Sequence, residues 1–168
     1  MRCNEMQWRS VLFKFIFEEI TTMSKTEEKY FLNIAGEFAV CSELAKRNIL
    51  PNLTLGNKKA VDIIVFKENN VAITIEVKTT NKNRIVTSFL QKYKTPDFPH
   101  PDIWVMVVID KNLQNRFFIL THSEVAYIQM KVNKVDVWKE NKGGVDNIPI
   151  RFLLDYENKW DKIQTEIN

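Results

Sequence analysis

An acid inside an apolar run, followed by a second acid two residues ahead of a lysine, is the pattern in this chain best suited to chemistry. Asp62 stands in Val61-Asp62-Ile63-Ile64-Val65-Phe66, where every other residue is apolar, and Glu76 and Lys78 close Val71-Ala72-Ile73-Thr74-Ile75-Glu76-Val77-Lys78. An ionised carboxylate within such a run is costly to bury unless it is paired or coordinates a metal. Both runs have the composition of β-strands, and Glu68-Asn69-Asn70 between them is turn material, so a hairpin is expected. Side chains alternate along a strand, which puts Ala72, Thr74, Glu76 and Lys78 on one face and Val71, Ile73, Ile75 and Val77 on the other. The hairpin brings Asp62 toward Glu76. Two carboxylates and the Val77 carbonyl then converge, a donor set suited to a hard divalent cation, Mg²⁺ or Mn²⁺. Two plainer readings stand beside it: a solvated acid–base pair for Glu76 and Lys78, and a buried Asp62–Lys78 salt bridge.

A third acid comes from the element before these strands. Phe31, Ile34, Ala35, Phe38, Cys41 and Ala45 recur at three- and four-residue steps, which predicts a helix from Thr26 to Arg47 ended by Asn48 and Pro51. Glu37 has Ile34, Val40 and Cys41 as helical neighbours, with Leu44 two turns on, and so sits on or beside the buried stripe. A border position with its carboxylate in solvent is the alternative. Glu43 is the contrast, since Lys46 and Arg47 follow it at the spacing of a surface ion pair.

Asn52 to Leu55 is a short strand candidate. Asn81 to Lys94 suits either a helix containing Ile85, Phe89 and Tyr93 or a strand at Ile85-Val86-Thr87. Pro96, Pro99 and Pro101 make a rigid loop, and Ile103 to Ile109 is apolar enough to be buried on both faces. Arg116 to Leu120 is expected to pair with it. Thr121, with Glu124 at the capping-box position, starts a helix to about Lys131. After Gly143-Gly144, the residues Leu153, Leu154, Tyr156 and Trp160 are expected to pack onto the body. Trp104 and Trp138 read as packing residues, and His100, between prolines, as a loop-packing residue rather than a substrate contact. Helix, three strands, an ambiguous segment, two strands and a helix make an α/β layered domain with a mixed central sheet.

The ordered set Glu37, Asp62, Glu76, Lys78 resembles the PD-(D/E)xK nuclease superfamily. Gly36-Glu37 matches the helical acid, Val61-Asp62 the acid of the motif with Val in place of the naming proline, and Ile75-Glu76-Val77-Lys78 the (D/E)-x-K strand. The resemblance covers about Lys25 to Leu120. It implies a restriction-endonuclease-like fold with an αβββαβ-type core, and a DNA endonuclease as the function. Asp62, Glu76 and the Val77 carbonyl would hold Mg²⁺, Glu37 would help bind a metal or its water, and Lys78 would position the attacking water. A non-catalytic nucleic-acid-binding or protein-interaction module on the same fold is the alternative; the intact Lys78 speaks against it. Lys58, Lys59, Lys82, Arg84, Lys92 and Lys94 flank the two strands where a phosphate backbone would pass, although a solvated surface explains them equally well. One site per chain makes a homodimer the expected way to cut both strands of a duplex.

Composition sets the outer limits. A chain of 168 residues with 45% hydrophobic and 27% charged residues can bury one full core, and a net charge of +3 permits a polyanionic partner without demanding one. Two cysteines without paired spacing and two histidines exclude disulfide frameworks, zinc knuckles and multi-histidine sites. No apolar run is long enough to span a bilayer, and the segment Val11 to Ile20 lacks a signal peptide's uninterrupted core. The cytoplasm is the expected compartment. Met23-Ser24-Lys25 looks like a translation start, which marks residues 1–22 as an extension or a loosely attached helix and 23–168 as a single domain.

Overall fold

The computed structural model describes residues 24–54, 61–93, 99–134, 136 and 146–167. The expected extension, the cations Lys58, Lys59 and Lys94, Trp138 and the glycine pair at 143–144 lie outside these residues. By compactness the chain divides between Phe31 and Leu32. In the first unit, Ser24 and Glu27 cap the start of helix α1 (Lys25–Ala45) reciprocally. The Glu27 carboxylate accepts from the Ser24 N–H at 2.8 Å, and the Ser24 hydroxyl accepts from the Glu27 N–H at 3.2 Å. The helix therefore starts slightly ahead of the expected Thr26.

The second unit is built on a mixed sheet of five strands: β1 (Asn52–Leu53), β2 (Ile63–Phe66), β3 (Ala72–Thr80), β5 (Ile103–Ile109) and β6 (Asn115–Thr121). They lie in the order β1-β2-β3-β5-β6, with β3 and β5 parallel and the other neighbours antiparallel. The β2–β3 hairpin is present as expected, with Ile63 opposite Ile75 and Phe66 opposite Ala72. Every residue of β5 is buried except the half-buried Val108, because β5 sits between β3 and β6 with core on both faces.

One face carries Ile63, Val65, Ile73, Ile75 and Val77 against Val40 and Leu44 of α1 and Trp160 and Ile163 at the start of α4 (Asp161–Ile167). The other carries Trp104, Met106, Phe118 and Leu120 against Phe89 and Tyr93 of the α2 (Phe89–Lys92) segment and Val125, Ala126 and Ile128 of α3 (His122–Asn133). The capping box expected at Thr121 and Glu124 is formed.

Two expectations are corrected and one open alternative is settled. The buried side of α1 runs through Gly36, Glu37, Val40 and Leu44, whereas Phe31 and Phe38 are 55% and 57% exposed and Ala35 and Ala45 are also exposed. This helix is apolar on more than one side, and counting apolar positions does not tell which side meets the sheet. The ambiguous segment 81–94 contains both alternatives in succession, β4 (Arg84–Val86) and then α2. β4 pairs outside the main sheet with β7 (Asn147–Pro149). Finally, Leu154 is 51% exposed, because it opens a turn of 3-10 helix, Leu154–Tyr156, whereas Leu153 and Trp160 are buried as expected.

Candidate active site

The face that bears Trp104 also bears Glu76 and Lys78, since Trp104 and Met106 are their direct partners across the parallel β3–β5 pair. Trp104 is fully buried, as its packing role required. β2 reaches this region through an irregularity. The Ile75 carbonyl accepts from the Asp62 N–H at 3.1 Å while Ile63 holds the register position opposite Ile75, so two consecutive residues face one. Such a bulge re-aims a side chain at the end of a strand. The Asp62 carboxylate turns along β3 and accepts the Val77 N–H at 2.7 Å, in place of a ladder partner that β2 no longer supplies. The N–H and C=O of a strand residue point toward the same neighbouring strand. The Val77 carbonyl is therefore directed to the Asp62 edge.

Asp62 is 8% exposed and Glu76 3%, so both carboxylates are nearly out of water. Glu76 is compensated by two ammonium groups on the same oxygen, Oε1: Lys78 bonds it closely, and Lys92 from α2 reaches it at 3.1 Å. Lys78 also lies 6.0 Å from the centre of the Trp104 ring. Tyr93, one residue beyond α2, closes the apolar side; burial, and then the charges of Glu76 and Asp62, push its hydroxyl pKa upward. Lys78 is thus bonded to Glu76, so the structure contains an acid–lysine pair, and it is largely buried rather than solvated.

Glu37 arrives from the other layer. It is 8% exposed on α1, next to Gly36, where the helix touches Thr79 of β3. Glu37 is thus on the helix that packs the face opposite Glu76 and Lys78. Lys82 and Arg84 are exposed just beyond β3, Arg84 within β4.

The donor types suit a hard cation: two nearly dehydrated carboxylates, Asp62 on the Val77 N–H and Glu76 on β3, and a main-chain carbonyl directed to the Asp62 edge. Among the described residues no three of Asp, Glu, His and Cys gather into a complete metal cage. Mg²⁺ does not require one, because it is commonly held by one or two carboxylates and keeps several waters.

Two supporting features were not readable in the sequence. Helix α2 has no side-chain cap at Ser88, which adopts φ 55°. Asp146 takes that role, accepting the Leu90 N–H at 3.1 Å and the Gln91 N–H at 3.3 Å from 56 and 55 positions away, and the Thr87 hydroxyl at 2.9 Å. Buried Gln129 donates to Thr87 at 2.7 Å. Only the distance in sequence hid this cap. Asp146→Ala should speed amide exchange at Leu90 and Gln91 and cost about 1–2 kcal/mol in urea unfolding, as loss of a helix cap does. Unchanged exchange at both amides would remove Asp146 from this role.

The second feature is a histidine stack. His100 lies on His122 with ring centres 3.9 Å apart and planes within 14°, so its loop packing is as expected. Trp104 Nε1–H donates to His122 Nδ1 at 3.2 Å, which keeps the ring neutral. Burial, aided by His100, brings the His122 pKa down from 6.5 to about 4. A depressed folded-state pKa contributes stability that is present above pH 6.5 and lost as pH falls toward 4. That loss should be about 3 kcal/mol by urea unfolding between pH 7 and pH 4 and should be absent from His122→Gln, which keeps an acceptor for Trp104. An equal decline in both proteins would assign the acid sensitivity to other groups.

A mixed five-stranded sheet with helices on its two faces defines an α/β protein. Among solved structures it resembles that of a bacterial homing endonuclease, I-Ssp6803I, with a TM-score of 0.52 and 14% sequence identity over 87% of this chain and 95% of that one. The likeness is one of fold. No family model matches the chain, and no curated protein matches it in sequence. Among the described residues no helix is long and apolar enough to cross a membrane.

Proposed function

We propose that this protein is a metal-dependent nuclease of the PD-(D/E)xK type, a DNA endonuclease using Mg²⁺ or Mn²⁺. The observation that carries the reading is nearly buried Asp62 bonded to the Val77 N–H, next in sequence to nearly buried Glu76 with the Lys78 ammonium on it. The fold shared with a homing endonuclease supports it. Asp62, Glu76 and the Val77 carbonyl would hold the cation, with Glu37 as a further acid. A bound divalent cation would polarise the scissile phosphate and offset its developing charge. Lys78 would position the attacking water and donate to the phosphate oxygens, while the buried wall of Trp104 and Tyr93 keeps bulk water from the acids. Lys82 and Arg84, exposed beyond β3, would follow the phosphate backbone. We further propose that two copies act together on a duplex.

The two lysines already on Glu76 favour a second reading, a non-catalytic nucleic-acid-binding module whose acid is permanently paired. Purified protein incubated with Mg²⁺ or Mn²⁺ and supercoiled plasmid, linear duplex, single-stranded and branched DNA separates the two. Metal-dependent cleavage of any of these supports the nuclease. Binding without cleavage, unchanged by metal, supports the module.

A further inference from the structure

The two ammonium groups on Glu76 are not equivalent. Lys78 belongs to the central strand β3, and its side chain is 23% exposed. Lys92 comes from a helix of 4 residues, its side chain is 46% exposed, and it makes the longer contact, 3.1 Å. The formal charges of Asp62, Glu76, Lys78 and Lys92 cancel. A divalent cation entering beside these acids must either meet uncompensated positive charge or displace a cation already there, and charges a few ångströms apart in a partly dehydrated site repel strongly. Of the two, Lys92 is the group that can leave. Its stem is flexible, its head is half in water, and α2 is held at its other end by Asp146, so the helix need not move with the side chain.

We propose that Lys92 is an exchangeable counter-ion: it neutralises Glu76 in the metal-free protein and turns to a substrate phosphate when a divalent cation takes Glu76. The inference rests on the nuclease reading and deepens it. It makes metal and phosphate binding mutually reinforcing, because the metal frees a cation for the backbone and the phosphate removes that cation from competition. It also gives one of the two lysines on Glu76 a purpose that a permanent pair lacks.

The test uses the whole chain with Lys92→Met and Lys92→Arg. Calorimetric titration with Mn²⁺, without nucleic acid, should show binding about tenfold tighter in Lys92→Met than in wild type, since a competing charge has gone. Lys92→Arg should remain near wild type. Binding of a duplex oligonucleotide in Ca²⁺, followed against salt, should lose about 0.9 from the steepness of the log–log slope in Lys92→Met, the value of one phosphate contact, and recover it in Lys92→Arg. Equal or weaker Mn²⁺ binding by Lys92→Met would overturn the exchange and leave the nuclease reading standing. Tighter Mn²⁺ binding with an unchanged slope would overturn the phosphate role. Wild-type protein that takes up no Mn²⁺ would overturn both this inference and the nuclease on which it rests.

Discussion

Asp62→Asn should lower metal-dependent cleavage by at least about a thousandfold while leaving the fold in place. The two halves of that expectation have separate causes. The Asp62 carboxylate accepts the Val77 N–H at 2.7 Å, and an asparagine carbonyl oxygen in the same position can accept it too. The side-chain bond that ties the approach to β2 onto the Val77 N–H of β3 is thus retained, and the unfolding free energy should change by less than about 1 kcal/mol. What is lost is the negative charge of one of the two buried hairpin acids. If the site works through a cation, charge stabilisation worth several kcal/mol goes with it, and about 4 kcal/mol is a factor of roughly a thousand in rate. Mn²⁺ titration of the same variant should show binding weakened in parallel. Cleavage within about tenfold of wild type would remove Asp62 from the chemistry and with it the proposed metal site.

Gly36→Ala should destabilise the protein by about 2 kcal/mol, against the usual benefit of replacing a helical glycine. In an unconstrained helix, alanine is favoured over glycine by about 1 kcal/mol. At this position the added Cβ would stand 1.8 Å from Thr79 Oγ1 and 2.9 Å from both Cβ and Cγ2 of that residue. Thr79 is a short β-branched side chain on a strand held on its β5 edge through Val107, so it has nowhere to swing. Either the helix lifts from the sheet or β3 shifts, and forced overpacking of this kind costs about 1–3 kcal/mol or more. Because Glu37 follows Gly36, lifting α1 would also displace that acid, so cleavage should fall with stability. Thr79→Ala in the same chain should recover part of both, the more readily because the buried Thr79 hydroxyl has no hydrogen-bond partner among the described residues. A Gly36→Ala protein as stable as wild type in urea would show that α1 has room at Thr79.

These two positions also show where sequence reasoning works and where it stops. The hairpin that carries Asp62 and Glu76 is legible because strand composition and a short turn mark its two arms. The bulge that aims the Asp62 carboxylate at the Val77 N–H is not, since it depends on where β2 leaves the ladder. Helix α1 was legible as a helix, but its buried side was not: Phe31 and Phe38 draw attention, while the contact is made by Gly36, which adds nothing to a hydrophobic pattern. Lys92 could be read as a cation near the phosphate path. Its bond to Glu76 could not, because the placement of α2 depends on Asp146, far along the chain.

That distant cap has a consequence for how the protein matures. Synthesis runs from the amino end, and the hairpin with Asp62, Glu76 and Lys78 is translated well before Asp146, Ile148 and the rest of β7. Until that later stretch emerges, β4 has no partner and α2 no anchor, so a nascent chain would carry its acids without the helix that brings Lys92 to them. Seating of Lys92 on Glu76 thereby waits for Asp146, and a ribosome-bound fragment stopped short of it should lack that contact even when its sheet has begun to form.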